Sequence, residues 1–150
     1  MIKSSAIVRN SGITKDNSSQ VVVSVSSSSS GGTIIMGCDP ALNIGNFVYI
    51  SGDKTVAQAD SSSLLTLPAI GMIIEKPTVN TCNIQMVGEA PLTRDPVLTP
   101  NTKYYIASNG EIKSSTEFLT PPLYFQLAGV ANSTNKLILS LGLPLPFVSQ

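Results

Sequence analysis

The stretch Ile34–Asp53, IIMGCDPALNIGNFVYISGD, decides the fold of this chain of 150 residues. It begins with an apolar, β-prone run and continues into a turn around Pro40. Phe47–Ile50 is aromatic and β-branched, which is typical of a second strand. Ser51–Asp53 then supplies the small and polar residues that end a strand in a turn. The stretch therefore predicts two short strands joined by a proline turn.

The same pattern of short strands and turns continues to Gly142. Asn109-Gly110 tolerates positive φ angles and predicts a tight hairpin. Gly71 interrupts the apolar run Pro68–Glu75 and predicts a bulge or a close approach of two backbones. Apolar residues at helical spacing do not persist for about ten residues anywhere. We therefore predict an all-β fold, a small β-barrel or β-sandwich of short antiparallel strands with an extended N-terminal arm.

Composition divides the chain into three segments. Residues 1–33 form an N-terminal β-rich arm that ends in the Ser/Gly linker SSSSSGG, residues 34–142 form the barrel or sandwich module, and residues 143–150 form an apolar tail. The linker has no side chain that can anchor a core. The arm fits two alternatives, a loop between two strands of one sheet or an extension that reaches a neighbouring molecule.

The tail also fits two alternatives. Its prolines exclude it from a central strand, so it either caps the core of its own chain or docks as an extended anchor into a neighbour. The apolar residues of the two end segments are the candidates for intermolecular contact. They are Ile7, Val8, Val21, Val23, Leu143, Leu145 and Phe147.

Charge and hydropathy exclude several partners. Nine basic and nine acidic residues cancel, and only 12 % of the residues are charged, about half the usual soluble share. No basic run is present to neutralise phosphates, which argues against nucleic-acid binding. No apolar run reaches the length of a membrane span, and no secretory signal is recognisable, so we expect synthesis in a cytoplasm and no membrane partner. A surface so poor in charge favours burial against further copies of the chain.

The residue types that carry most catalysis are scarce. The chain has no histidine, which removes the Ser-His-Asp and Cys-His nucleophile systems and most zinc sites. Cys38 and Cys82 are predicted to be free, buried thiols. Asp39 and Asp53 lie in turn sequences and are interpreted as turn residues rather than calcium ligands. We therefore predict no enzyme activity, no catalytic, cofactor-binding or metal site, and no small-molecule substrate.

The order of the segments carries a family resemblance. The segments are CDPALNIGNFVYISGD, TVAQAD, LPAIGMIIEKPT, CNIQMVGEA, LTPNTKYYIASNGEI and FQLAGVANSTNKLILSLG. Together they resemble a β-rich module of tailed-bacteriophage virion proteins, namely capsid decoration (cement) proteins and head or tail fibre proteins. The resemblance covers about residues 36–142. Asn46 stands where the module more often has an acid, and Asn101 where it often has glycine, but both tolerate turn geometry.

The resemblance implies a non-enzymatic virion structural protein. The first function that the resemblance implies is that of a capsid decoration protein. Such a protein binds the outer capsid surface and stabilises the shell after assembly in the host cytoplasm. The implied partners are the major capsid protein and copies of the chain itself, with a trimer favoured by analogy. No residue of the chain chooses between attachment to the capsid and attachment to the tail.

Two other functions are weighed against this reading. The alternative within the same resemblance is a head or tail fibre component that binds host-surface glycan, for which Tyr104, Tyr105 and Tyr124 are the candidate aromatic residues. Because Tyr104 and Tyr105 are adjacent in a predicted strand, they point to opposite faces, and one of them is expected in the core. A small enzyme or small-molecule barrel is disfavoured by the missing histidine and the sparse charges.

Overall fold

The strands of the computed structural model are short, and the structure describes residues 32–93 and 96–147. The candidate residues Ile7, Val8, Val21 and Val23 of the expected arm lie outside these ranges. The described strands are β1 (Thr33–Cys38), β2 (Phe47–Gly52), β3 (Thr55–Gln58), β4 (Gly71–Thr78), β5 (Thr81–Gln85), β6 (Gly88–Pro91), β7 (Lys103–Ile106), β8 (Ile112–Ser114), β9 (Tyr124–Phe125), β10 (Leu127–Ser133), β11 (Lys136–Leu139) and β12 (Leu145–Pro146). Two 3₁₀ turns, Leu64–Thr66 and Ser108–Gly110, complete the regular elements of this part of the chain.

The first five strands close into a barrel in the order β1-β3-β2-β4-β5. Antiparallel pairing of β5 with β1, from Thr33 opposite Gln85 to Gly37 opposite Thr81, closes the ring. The prediction of antiparallel strands fails for one pair, because β1 and β3 run parallel where Cys38 lies opposite Val56. The barrel interior holds one apolar cluster, made of Met36, Leu42, Val48, Val56, Ile73, Cys82 and Ile84.

The remaining long strands form a second, antiparallel sheet in the order β6-β11-β10-β7-β8. Its core includes Ala90, Tyr104 and Leu137, and it also includes Phe47 and Met72 from the barrel strands β2 and β4. The barrel and the sheet therefore share an apolar core. The all-β prediction is confirmed, and the structure consists of a closed five-stranded barrel joined to a separate five-stranded sheet.

Two local predictions are confirmed. The β7–β8 hairpin turns through Asn109 and Gly110, whose φ angles are 58° and 69°. Gly71 lies at a close approach of two backbones, because a Cβ atom there would overlap the carbonyl oxygen of Gln85. The strand begins at Gly71 rather than at Pro68, since Ala69 exchanges backbone hydrogen bonds with the side chain of Gln126 instead of with a strand.

Candidate interaction surface

The apolar tail forms a two-stranded sheet with β9 of the same chain. In β12, Leu145 lies opposite Phe125 and Pro146 lies opposite Tyr124. The amide of Phe147 donates a hydrogen bond of 2.9 Å to the carbonyl oxygen of Leu123 and extends the ladder by one pair. The tail thus packs on its own chain through backbone hydrogen bonds.

One face of this small sheet is built only of apolar side chains. Successive residues of a strand point to opposite faces, and residues directly opposite each other share a face. Tyr124 packs towards the core of the larger sheet, so the residues that alternate with it point outwards. We call this outward face the C-terminal apolar face; its members are Leu123, Phe125, Leu143, Leu145 and Phe147.

Most of the C-terminal apolar face is open to solvent. Leu143 is 79 % exposed, Leu123 and Leu145 are each 63 % exposed, and Phe147 is 42 % exposed. Single exposed apolar residues are ordinary, but a contiguous set of this size marks an interaction site on soluble proteins. The face is therefore the strongest candidate for an intermolecular contact among the described residues, and it contains all three tail residues that the sequence singled out.

Aromatic rings give the face a rigid base. The ring of Phe125 lies 5.5 Å from that of Tyr105, 5.7 Å from that of Phe118 and 5.6 Å from that of Phe147, measured between centroids. Edge-to-face contacts at these distances add about 0.5–1.5 kcal/mol each to the burial of area. The ammonium group of Lys113 lies 5.9 Å from the centroid of Phe118. The rings hold Phe125 in one orientation beneath the exposed leucines.

The edge of β12 that faces away from β9 has no backbone N–H group at Pro144 or Pro146 to donate to another strand. Backbone polar groups of successive residues in a strand point to alternate sides. Because the amide of Phe147 points to β9, the nitrogens of Pro144 and Pro146 point to the open edge, and neither carries an N–H group. Proline at edge positions is a common protection against unwanted strand pairing. Addition of a further strand at this edge would therefore lack the hydrogen bonds that two amides would otherwise donate.

A cavity of about 420 Å³ lies beside the face. Asp60, Ser62, Ser108, Lys113 and Phe118 are among the residues that line it. Partial burial raises the pKa of the Asp60 carboxyl, but hydrogen bonds from Ser62 and from the backbone of Asn109 outweigh this effect and leave the pKa below its ordinary value. The Asp60 oxygens accept from the amide of Ser62 at 2.9 Å and from that of Asn109 at 3.4 Å. Asp60 thus fixes the loop that precedes the 3₁₀ turn to the β7–β8 hairpin.

We expect Asp60→Asn to lower the stability of the protein by about 1 kcal/mol at neutral pH. The lowered pKa means that the ionised carboxyl stabilises the fold above its unfolded pKa of about 3.9, and that this contribution is lost as the pH falls through the folded value. Urea unfolding at pH 7 and at about pH 3 measures the difference, which should be smaller at the lower pH. The exposed turn residue Asp53, changed to Asn, is the control. An equal loss at both pH values would contradict the role of the charge.

The three tyrosines considered for glycan binding do not form one exposed surface. Tyr104 is buried, and its hydroxyl oxygen accepts a hydrogen bond of 2.9 Å from the amide of Thr99. This confirms that one of the adjacent pair lies in the core. Tyr105 is half-buried against Phe125, and Tyr124 is half-buried against the core of the larger sheet.

Asp39, Asp53 and Cys82 lie as the sequence predicted, in turns and in the core respectively, whereas the prediction of a buried thiol is wrong for Cys38. Both thiols are free, with Cys82 buried and Cys38 only partly buried. Burial, followed by a hydrogen bond with Cys38 and electrostatic repulsion from that residue, raises the pKa of Cys82 to about 12. Asp39 accepts from the amide of Ala41 at 2.8 Å in its turn, and Asp53 lies in the turn between β2 and β3. Within residues 32–93 and 96–147, no group of three or more His, Cys, Asp or Glu residues could hold a metal ion.

Comparisons with known proteins and the search for membrane helices were negative. No protein-family model matches the chain, and no curated protein matches it. Among the described residues, no helix has both the length and the apolar character needed to cross a membrane. The sequence resemblance and the C-terminal apolar face are therefore the two features of the chain that bear on its function.

Sequence reasoning did not identify Leu123, Phe125 and Phe118 as parts of this surface. Leu123 and Phe125 are two positions apart, as are Leu143, Leu145 and Phe147. This spacing was the available signal, because apolar residues two positions apart share one face of a strand. The two segments lie about twenty positions apart, and only their pairing in the folded chain joins the two apolar rows.

Proposed function

We propose that the chain is a non-enzymatic structural protein of a tailed-bacteriophage virion, and that it decorates the outer surface of the capsid and stabilises the shell. The observation that carries the proposal is the ordered series of segments that resembles this class. The segment around Phe47–Ile50 corresponds to β2, the segment around Gly71 to β4, and the YYIASNGEI segment to the β7–β8 hairpin. These segments therefore form strands and a hairpin, as the proposal requires.

The C-terminal apolar face supports the proposal on physical grounds. A decoration protein acts by burying surface against its neighbours, and stable interfaces combine an apolar centre with a more polar rim. The face supplies such a centre, and Lys113 lies beside it, with its ammonium group 5.9 Å from the centroid of the Phe118 ring that contacts Phe125. Its proposed partners are the major capsid protein and further copies of the chain on the virion surface.

The experiment that tests the proposal locates the chain in the virion. Phage particles that carry the gene are separated into heads and isolated tails, and the chain is quantified in each fraction by mass spectrometry. We expect it in the head fraction, and we expect the purified chain to rebind to heads from which it has been removed. Recovery in the tail fraction would instead favour the fibre alternative, and absence from both fractions would overturn the assignment to the virion.

The same rebinding assay tests the tail as a contact. A chain that ends at Gly142 lacks Leu143, Leu145 and Phe147, and we expect it to bind heads at least about tenfold more weakly, because each lost apolar anchor contributes roughly 1 kcal/mol or more. Circular dichroism of the shortened chain serves as the control for folding. Unchanged binding to heads by a folded, shortened chain would show that attachment requires no contact made by the tail, whether with the capsid or with a second copy of the chain.

A further inference from the structure

We infer that the C-terminal apolar face is covered by the same face of a second copy of this chain, related by a two-fold axis. The inference rests on the proposed function in one respect, since it takes a second copy of the chain to be the virion neighbour that the apolar tail contacts. The charge, the area and the edge geometry of the face support the two-fold contact, and none of the three depends on the family resemblance.

The charge of the face fits a second copy. Leu123, Phe125, Leu143, Leu145 and Phe147 include no ionisable group. A two-fold contact places the same patch on both sides of the interface, so a charge on the patch would meet itself or be buried without a partner. An uncharged face avoids both costs. The formal net charge of the whole chain is zero, so long-range repulsion between two copies is weak as well.

The area of the face is sufficient for a dimer. Leu119, which is 98 % exposed, lines one cavity together with Phe118 and Leu123 and adds to the apolar area beside the face. Counting about 150–200 Å² for each fully exposed large apolar side chain, the face and Leu119 offer roughly 500–700 Å² per copy. Two copies would then bury on the order of 1,000–1,400 Å² in total, which reaches the range of specific interfaces.

The edge geometry determines how the two copies meet. Pro144 and Pro146 leave the open edge of β12 without N–H donors, so a second chain cannot extend the sheet there by full strand pairing. The contact is instead face to face, between side chains. Two charged residues of opposite sign, Lys113 and Asp60, line the cavity that Phe118 also lines. In a two-fold contact, residue i of one copy meets residue j of the other, so these two can face each other across the axis.

Sedimentation equilibrium of the purified chain without capsids tests the inference. We expect a reversible dimer over a concentration series of about 1–100 µM. Leu145→Asp should raise the dimer dissociation constant more than about 100-fold, because every dimer carries the buried charge twice. The matched control is Val79→Asp, since Val79 is 66 % exposed in the β4–β5 turn and Leu145 is 63 % exposed. The control should remain dimeric.

The alternatives give distinct outcomes. A monomer at all concentrations, or a dimer that Leu145→Asp does not weaken, would overturn the inference. A trimer, which the family analogy favours, would also overturn it, because three copies in a ring bring together two different surfaces of the chain. Leu145→Asn, which introduces no charge, replaces the aspartate variant if circular dichroism shows that the latter is unfolded.

Head binding distinguishes a failure of this inference from a failure of the proposed function. A monomer that binds heads would refute the two-fold contact and leave the decoration function intact. A dimer that binds no virion fraction would refute the decoration function and leave the two-fold contact intact. Binding of the Leu145→Asp variant to heads, measured in the rebinding assay, then shows whether the dimer is the form that attaches.

Discussion

Replacement of Gln126 by alanine is expected to destabilise the protein by about 3–5 kcal/mol, a large part of the total stability of a domain of this size. Gln126 is 1 % exposed, and its carboxamide makes three hydrogen bonds. Its oxygen accepts from the amide of Ala69 at 2.8 Å, and its nitrogen donates to the carbonyl oxygens of Ala69 at 2.9 Å and Gly142 at 3.0 Å. The side chain thus joins the segment before β4 to the residue before the apolar tail.

The alanine variant leaves these backbone groups without partners and opens a cavity. Each unpaired buried group costs about 1–3 kcal/mol, because it has lost water without gaining a hydrogen bond. Chemical unfolding in urea measures the change. Gln58→Ala in β3, where the side chain is half-buried, is the matched control and should cost about 1 kcal/mol or less. A loss at Gln126 no larger than the loss at Gln58 would show that water replaces the carboxamide.

The second large effect is expected at Gly71. A Cβ atom there would overlap the backbone carbonyl oxygen of Gln85 and would lie 2.7 Å from Cγ2 of Ile84. The carbonyl belongs to β5, which pairs with both β4 and β1, so it cannot move without disturbing the closure of the barrel. We expect Gly71→Ala to lower the free energy of unfolding by about 2–4 kcal/mol.

Gly142→Ala is the control for Gly71. A Cβ atom at Gly142 would lie 3.6 Å from Cβ of Leu127, which is ordinary van der Waals contact. We expect this control to change stability by less than about 0.5 kcal/mol. If thermal and urea unfolding give equal stabilities for the two variants, the strands can separate at Gly71 at little cost, and the proposed close packing of β4 on β5 is wrong.

Local sequence was sufficient to predict the strands because their signals are short-range. Asn109-Gly110 predicts the β7–β8 hairpin since both residues accept positive φ angles, and both have them. The alternation of Leu137 and Leu139 with Ile138 predicts the buried face of β11, and Ile138 is indeed exposed. Backbone sterics and the two-residue period of a strand act within a few residues, so one segment contains the information.

Local patterns cannot show which residues pack inside the barrel and which pack against the larger sheet, because adjacent residues of one strand belong to different cores. Phe47 packs in the core shared with the larger sheet, whereas Val48 packs inside the barrel, and Met72 and Ile73 divide in the same way. Both faces of β2 and β4 are therefore covered at their buried ends, where Phe47–Val48 and Met72–Ile73 are continuously apolar. A run of this kind predicts a strand buried on two sides but not what covers each side.

The sequence by itself determined the all-β class, the positions of most strands and turns, and the two glycine-dependent features at Gly71 and Gly110. Only the tertiary structure decided the closed barrel, the parallel pairing of β1 with β3, and the joining of Leu123 and Phe125 with the tail in one apolar face. The physical reason is the range of the interactions. Turn geometry and side-chain alternation are properties of a few consecutive residues, whereas strand order and shared faces result from burying apolar area between segments far apart in the chain.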